Sequence, residues 1–208
     1  MQQLFTMKVI FEEYVKLNKA YPFPEAPFRR CHNPKCNRLV KYKKHGFYER
    51  YFSCNFFDGK IVIRRYICPE CGHTISIMPN FCLPRYINAL DHIFGYILNV
   101  FNRKGTIKSC LEKLNKESGM NISRQLMYHY TKRFMDNLTF IQAGIRQLSL
   151  TVQLPSVEMD KKEKTRKVLD IVKNWPCKIN SFSQQFFDKN TKTFLNKQSI
   201  YYSINLDV

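Results

Sequence analysis

The spacing of hydrophobic residues along this chain changes period twice, and each change predicts a change of structure. Between residues 4 and 19, Phe5, Val9, Phe11, Tyr14, Val15 and Leu17 form an imperfect apolar stripe that predicts a first helix. It stops at residues 21–27 (YPFPEAP), where three prolines rule out helix and favour an extended connector. The period then shortens. Residues 45–54 (HGFYERYFSC) and 60–67 (KIVIRRYI) are aromatic and β-branched runs that predict two strands, with residues 55–59 (NFFDG) between them and Asp58-Gly59 as the hairpin turn. Residues 74–78 (TISIM) alternate as a third strand, and Pro79 and Pro84 end the β region.

From Arg85 the period lengthens again. Ile87, Leu90, Phe94, Ile97, Leu98 and Phe101 recur at three and four, which predicts a helix buried on one side. Residues 102–105 break it, and Thr106 is a natural N-cap for a second helix carrying Ile107, Cys110, Leu111 and Leu114. A glycine-bearing turn at residues 117–121 follows. Asn121 or Ser123 can then cap a third helix, with Ile122, Leu126, Tyr130 and Phe134 on one face. The stripe continues through Leu138, Ile141, Ile145 and Leu148, so the third helix is long or has a successor. Pro155-Ser156 is expected to open a further helix reaching Trp175, with Val168, Ile171 and Val172 inward and residues 161–167 (KKEKTRK) as a solvated face. From Pro176 the aromatic-rich tail has no clean period.

These elements predict an α+β chain in four parts: an N-terminal helix and Pro-rich connector (1–27), a small β domain (28–84), a three-helix region (85–150), and a C-terminal helix and tail (151–208). Three helices with a short glycine turn between the second and third have the layout of a helix-turn-helix. In that layout Arg124, Gln125, Tyr128 and His129 would enter a major groove, with Lys132 and Arg133 further along for phosphates. Arginine can bridge guanine O6/N7 and glutamine adenine N6/N7. A basic exposed face on an ordinary helical bundle would give the same pattern.

The net charge of +18 adds to this picture through its placement. Residues 28–86 hold twelve Lys/Arg against three acids and residues 103–146 nine against three, whereas residues 1–27 are balanced. A polyanionic partner, duplex DNA first, is expected of such a chain. No apolar run approaches the ~18 residues needed to cross a membrane. With no secretory signal peptide at the charged N-terminus, a reducing cytoplasmic setting on the nucleoid is expected.

The cysteines supply the sharpest chemical signal. Cys31 and Cys36 are separated by four residues, and Cys68 and Cys71 by two, with Pro69 inside the second turn and Gly72 after it. Two close pairs flanking a β-rich insert are the pattern of a zinc ribbon, in which each pair aims two thiolates at one ion. Zn²⁺ favours four soft ligands in a tetrahedron at about 2.3 Å, and a site closed by four protein ligands has no position for an activated water. One structural Zn²⁺ on Cys31, Cys36, Cys68 and Cys71 is therefore expected. Disulfides or buried thiols remain the alternative, and His32 or His73 could replace a cysteine. Cys54, Cys82, Cys110 and Cys177 are isolated and read as small core residues. Lys43, Lys44, Arg64 and Arg65, on or beside the hairpin, are candidates for holding a nucleic-acid backbone. The aromatics Phe47, Tyr48, Tyr51, Phe52 and Tyr66 could stack unpaired bases in an RNA-binding or protein-interaction module, or simply form the core.

Cys31 and Cys36, the aromatic-basic hairpin, residues 64–74 (RRYICPECGHT) and residues 76–86 (SIMPNFCLPRY) resemble the zinc-ribbon domain of unknown function in bacterial insertion-sequence and transposase-like proteins. There, helices of helix-turn-helix type follow the ribbon. The resemblance spans residues 28–90 and, more weakly, 90–150. It implies a mobile-element protein that binds the element's DNA, with a transposase partner chain as one expectation and, from the two-fold sites common to helix-turn-helix proteins, a homodimer as another. About sixty residues follow the helical region, too few for an RNase H-like catalytic domain, so a DNA-binding accessory or the N-terminal half of a split element, rather than a complete enzyme, is expected.

Overall fold

In a computed structural model of the chain, residues 2–196 are described. They form an α+β structure with seven α-helices and six strands among these residues. The chain divides into two compact units, Met1–Asn88 and Ala89–Val208.

The first unit is built on a four-stranded sheet. Strands β4 (Lys43–Cys54) and β5 (Phe57–Ile67) form a long antiparallel hairpin, and β6 (Thr74–Pro79) pairs antiparallel with β5. Strand β1 (Gln2–Phe5) completes the order β1-β6-β5-β4 by pairing parallel to β6. A separate two-stranded sheet of β2 (Phe28–Arg30) and β3 (Leu39–Lys41) precedes it.

Two expectations fail in this unit. The first helix is confined to α1 (Phe11–Leu17), because residues 2–5 form a strand. The stripe through Phe5 and Val9 yields to edge pairing, which buries Leu4 and Phe5 and lets the Phe5 carbonyl accept from the Asn80 amide. The hairpin also turns at Asn55-Phe56, where Cys54 pairs with Phe57, so Asp58 and Gly59 lie within β5 opposite Ser53 and Phe52. This register sets the Phe56 and Phe57 rings 5.5 and 5.3 Å from Phe11 and outweighs the local Asp-Gly preference. The proline-rich segment is free of helix, as its three prolines require, and is a packed part of the unit. The Tyr66 hydroxyl donates to the Pro24 carbonyl, the Tyr42 amide donates to the Pro27 carbonyl at 3.1 Å, and Phe23 packs on Phe47 at 5.6 Å.

The core of this unit is largely aromatic. Phe11, Phe52 and Phe81 meet pairwise at 4.9–5.4 Å, and Tyr14 stacks edge-on to Tyr21 at 4.8 Å while its hydroxyl donates to the Val62 carbonyl. Offset and edge contacts of this kind add about 0.5–1.5 kcal/mol per pair beyond area burial.

The second unit is helical. Helix α2 is Leu90–Asn102, later than its stripe suggests, because Arg85 has φ 70° and Arg50 donates to the Leu83 and Tyr86 carbonyls, fixing residues 83–86 as a loop. Helices α3 (Ile107–Ser118) and α4 (Arg124–Asp136) begin at Thr106 and Ser123, whose side chains accept from the amides of Ser109 and Leu126. Tyr96, Val100, Met120, Ile122 and Met127 form the buried cluster among α2, α3 and α4. The α3–α4 turn passes through Gly119 at φ 65°, a left-handed position that costs glycine little. Asn115 secures that turn with both ends of its amide, accepting from Ile122 N at 3.1 Å and donating to Ile122 O at 3.0 Å.

Helix α5 (Leu138–Leu148) follows as a separate helix. Helix α6 runs from Lys161 to Lys173, not from Pro155. Asp160 is its N-cap, accepting from Lys162 N and Glu163 N, and those bonds hold its carboxyl below the ordinary range. The Pro155 carbonyl instead accepts from Gln142, which keeps that residue outside the helix. The aperiodic tail contains helix α7 (Ile179–Asn190), which buries Phe182, Phe186 and Phe187; the expectation for residues 197–208 lies outside the described residues. A side chain at Gly144 on α5 would put its Cβ 2.1 Å from Phe186 Cε2, so the glycine permits the close approach of α5 and α7. The Phe186 ring is itself held by Phe140 at 5.2 Å and Phe182 at 5.9 Å. Gly144→Ala should therefore destabilise this unit by about 1–3 kcal/mol despite alanine's better helix propensity, read as a lower denaturation midpoint. An unchanged or raised midpoint would mean the ring can yield.

Candidate metal centre and basic surfaces

Each cysteine pair sits on a tight turn, and the two turns share one hydrogen-bonding scheme. The Cys31 amide donates to the Arg38 carbonyl at 2.8 Å and the Cys68 amide to the His73 carbonyl at 2.9 Å, in both cases two residues past the second cysteine. The residue directly after that cysteine is left-handed in both, Asn37 at φ 44° and Gly72 at φ 72°. Glycine and asparagine are the residues that adopt this conformation most readily, which explains why each follows its pair. Asn33 tightens the longer turn by accepting from Lys35 N through its side chain and from Cys36 N through its carbonyl. Pairing of β2 with β3 closes the first turn, and pairing of β5 with β6 closes the second.

The Sγ atoms of Cys31, Cys36, Cys68 and Cys71 all lie within 4.8 Å of one another. The Cys31–Cys71 separation is 3.6 Å, close to the ~3.8 Å edge of a tetrahedron with metal–sulfur bonds of about 2.3 Å. None of the four is in a disulfide. The group could hold a metal ion, and its donor set fits one. Burial raises the Cys31 pKa, but the Asn33 amide, the Tyr42 hydroxyl and the neighbouring thiols outweigh it and bring the thiol down to about 7. For Cys36 the Arg38 amide favours the thiolate, whereas burial and the three other sulfurs push it up to about 11. Four thiolates crowded this closely repel, so full ionisation calls for a cation among them.

The surroundings of the cluster include groups not apparent from cysteine spacing. Tyr42 is buried, its hydroxyl favours the Cys31 thiolate, and it stands 3.3 Å from His32 Nδ1. Its position just beyond β3 was the available signal. His32 and His73 pack on each other at 4.4 Å, and burial lowers the His32 pKa to about 4. Arg38 and Glu70 join the two turns through an exposed ion pair at 2.6 Å, worth about 0–1 kcal/mol at most. Of the other cysteines, Cys54 and Cys82 are buried, while Cys110 and Cys177 are only partly so.

The basic candidates occupy contrasting environments. Lys43 and Lys44 begin β4 and are exposed. Arg64 is half-buried, with its guanidinium 4.4 Å from the Phe47 ring centre and 5.5 Å from that of Tyr66, and Arg65 lies 6.0 Å from Tyr48. These arginines gain cation–π contact, and the Arg65 Nε is buried. The hairpin aromatics divide between surface and core: Phe47 and Tyr48 are half-buried and Tyr51 is 47% exposed. Phe52 and Tyr66 are 0% and 1% exposed; β5 buries Ile61, Val62 and Ile63 in succession, so both faces of the hairpin are covered there.

On α4, Arg124, Gln125, Tyr128, His129 and Lys132 are exposed and Arg133 is half-buried. Arg124 stacks on Tyr128 at 5.4 Å and donates to its hydroxyl at 3.2 Å. Lys132 pairs with Asp136 at 3.1 Å. No protein-family model, curated protein or solved structure matches this chain. No helix among the described residues is long and apolar enough to cross a membrane.

Native mass spectrometry of the purified chain should show one bound metal ion, released by chelator and lost from Cys31→Ser or Cys68→Ser. Affinity should fall as pH drops, because bound thiols must shed their protons. Retention of the ion by both variants would remove the four-sulfur assignment.

Proposed function

We propose that this chain is a zinc-dependent protein that binds duplex DNA, with the two-turn cysteine unit acting as a zinc ribbon and α2–α4 as a helix-turn-helix. The observation that carries the reading is the face of α4. Arg124, Gln125, Tyr128, His129 and Lys132 are exposed together, while Met127, Tyr130, Thr131 and Phe134 anchor the opposite side of the helix. A helix held this way offers groups able to hydrogen-bond base edges. Charge placement supports a polyanion, and Lys43, Lys44, Arg64 and Arg65 supply backbone contacts from the ribbon. Zn²⁺ suits the four sulfurs because it takes soft ligands in a closed tetrahedron and does no redox chemistry. The mobile-element setting and a transposase partner chain rest on the resemblance of residues 28–90 and, more weakly, 90–150; a homodimer rests on the two-fold sites common among helix-turn-helix proteins.

A salt titration of binding to mixed-sequence duplex DNA, with and without chelator, tests the reading. Affinity should fall steeply with salt, and chelation should weaken it. Replacing Lys43 and Lys44 by Gln should weaken all sequences alike and flatten the log–log salt slope by about two. Replacing Arg124 and Gln125 by Ala should relax sequence preference, at about 1–3 kcal/mol of discrimination for each lost bidentate contact. Equal loss on every sequence from both pairs of changes would remove the base-reading role of α4, and salt-insensitive binding would remove the DNA reading itself.

A further inference from the structure

The β2–β3 sheet presents a face that the cysteine unit does not use. The register pairs Phe28 with Lys41, Arg29 with Val40 and Arg30 with Leu39. Side chains alternate across a strand, so Phe28, Arg30, Leu39 and Lys41 share one side while Arg29 and Val40 share the other. Val40 is buried on the inner side, and all four residues of the outer side are exposed. Phe28 is 67% exposed and Leu39 55%, and they are diagonal neighbours across the pair. Two large apolar side chains set outward between two cations are not explained by the core of this unit.

The charge around this face narrows what could cover it. Residues 29–44 hold seven Lys/Arg, and residues 26–48 contain no acid. The nearby Glu70 is engaged by Arg38. Arg30 donates weakly to the Asn37 carbonyl at 3.3 Å, and Lys41, Lys43 and Lys44 make no ion pair among the described residues. An uncovered aromatic ring flanked by unpaired cations is matched by a base stacked on the ring with its phosphates on the cations, the arrangement of single-strand binding surfaces. A groove of paired bases offers no free base face to Phe28.

We propose that the outer face of β2–β3 binds unpaired nucleotides of DNA, with Phe28 stacking a base, Leu39 packing beside it, and Arg30 and Lys41 holding the flanking phosphates. This rests on the nucleic-acid reading above but names a different surface and a different form of the polymer. It places single-strand recognition beside the first cysteine turn rather than on the aromatic hairpin, whose Phe52 and Tyr66 are buried.

The test uses the full metal-loaded chain and labelled duplexes that are blunt or carry a short single-stranded extension. The extended duplex should bind on the order of ten-fold tighter at fixed salt. Phe28→Ala should remove that preference while leaving blunt-duplex affinity unchanged, and Phe28→Tyr should keep it. Phe28→Leu retains an apolar side chain without a π face and should lose it. Blunt-duplex binding with no preference for the extension overturns this assignment and leaves the duplex reading standing. Extension binding that depends on Phe28, without blunt-duplex binding, supports the assignment and sinks the duplex reading. If sedimentation shows that Phe28→Ala instead dissociates a dimer, the face is a contact between copies of this chain and the nucleotide site is overturned.

Discussion

Four sulfurs brought within 4.8 Å impose the constraint on which the two cysteine turns and the β2–β3 sheet depend. Like-charged thiolates at such separations cannot all persist without a counter-charge, and four neutral thiols offer each other only weak hydrogen bonds. The two turns are stiffened by amide–carbonyl bonds and left-handed residues, but those bonds act within each turn. Between the turns stand the His32–His73 ring contact at 4.4 Å, an exposed Arg38–Glu70 pair and the sulfurs themselves. A cation at the centre would bind two turns whose sequence separation makes closure costly, and binding energy at such a site is folding energy.

The rest of the first unit is held differently. Its sheet is covered by rings from Phe11, Tyr14, Tyr21, Phe23 and Phe81, most of them contributed by the segment before β2. Arg50 secures the loop after β6 through carbonyls of Leu83 and Tyr86, and the Cys82 thiol beside it is buried deeply enough for its pKa to reach about 12. The long hairpin therefore has an apolar scaffold of its own, while the β2–β3 sheet buries only Val40 among its six residues.

Much of this arrangement was legible in the sequence where one local rule acted alone. Cysteine spacing identified the four clustered sulfurs, and Thr106 and Ser123 marked helix starts because an N-cap hydroxyl needs only its own next turn. The α+β class followed from the switch between periods of two and 3.6. Reading failed where distant partners decided. Residues 2–5 pair with β6 some seventy residues away, and the Asp58-Gly59 turn lost to a register set by aromatic packing. Helix α7 carries its stripe as Ile179, Phe182, Phe186 and Phe187, but intervening Ser and Gln and the lack of a capping side chain at Lys178 hid it. The sequence left the hairpin aromatics open between a stacking face and a core, because alternation alone does not say which face of a strand is covered; Phe47 and Tyr48 sit under arginines, Phe52 and Tyr66 are core, and Tyr51 is 47% exposed.

The placement of charge links the metal to the basic surface. Seven cations fall within residues 29–44, the stretch containing the first turn, β2 and β3. Their mutual repulsion opposes folding of a segment that buries few apolar side chains, and ordering each residue costs about 1–2 kcal/mol of backbone entropy. The contacts there that offset those costs include Val40, Tyr42, the β2–β3 pairing, the His32–His73 contact, the exposed Arg38–Glu70 pair and the four-sulfur cluster. A cation bound by that cluster would therefore fix the positions of the lysines and arginines as well as the turns. Arg64 and Arg65 differ, because their rings and sheet neighbours hold them without the metal. Removing the ion should thus disorganise the exposed charges around the first turn before it disturbs the arginines on β5. Amide hydrogen exchange would resolve that order, with protection at residues 29–41 lost on chelation while protection at residues 60–65 persists.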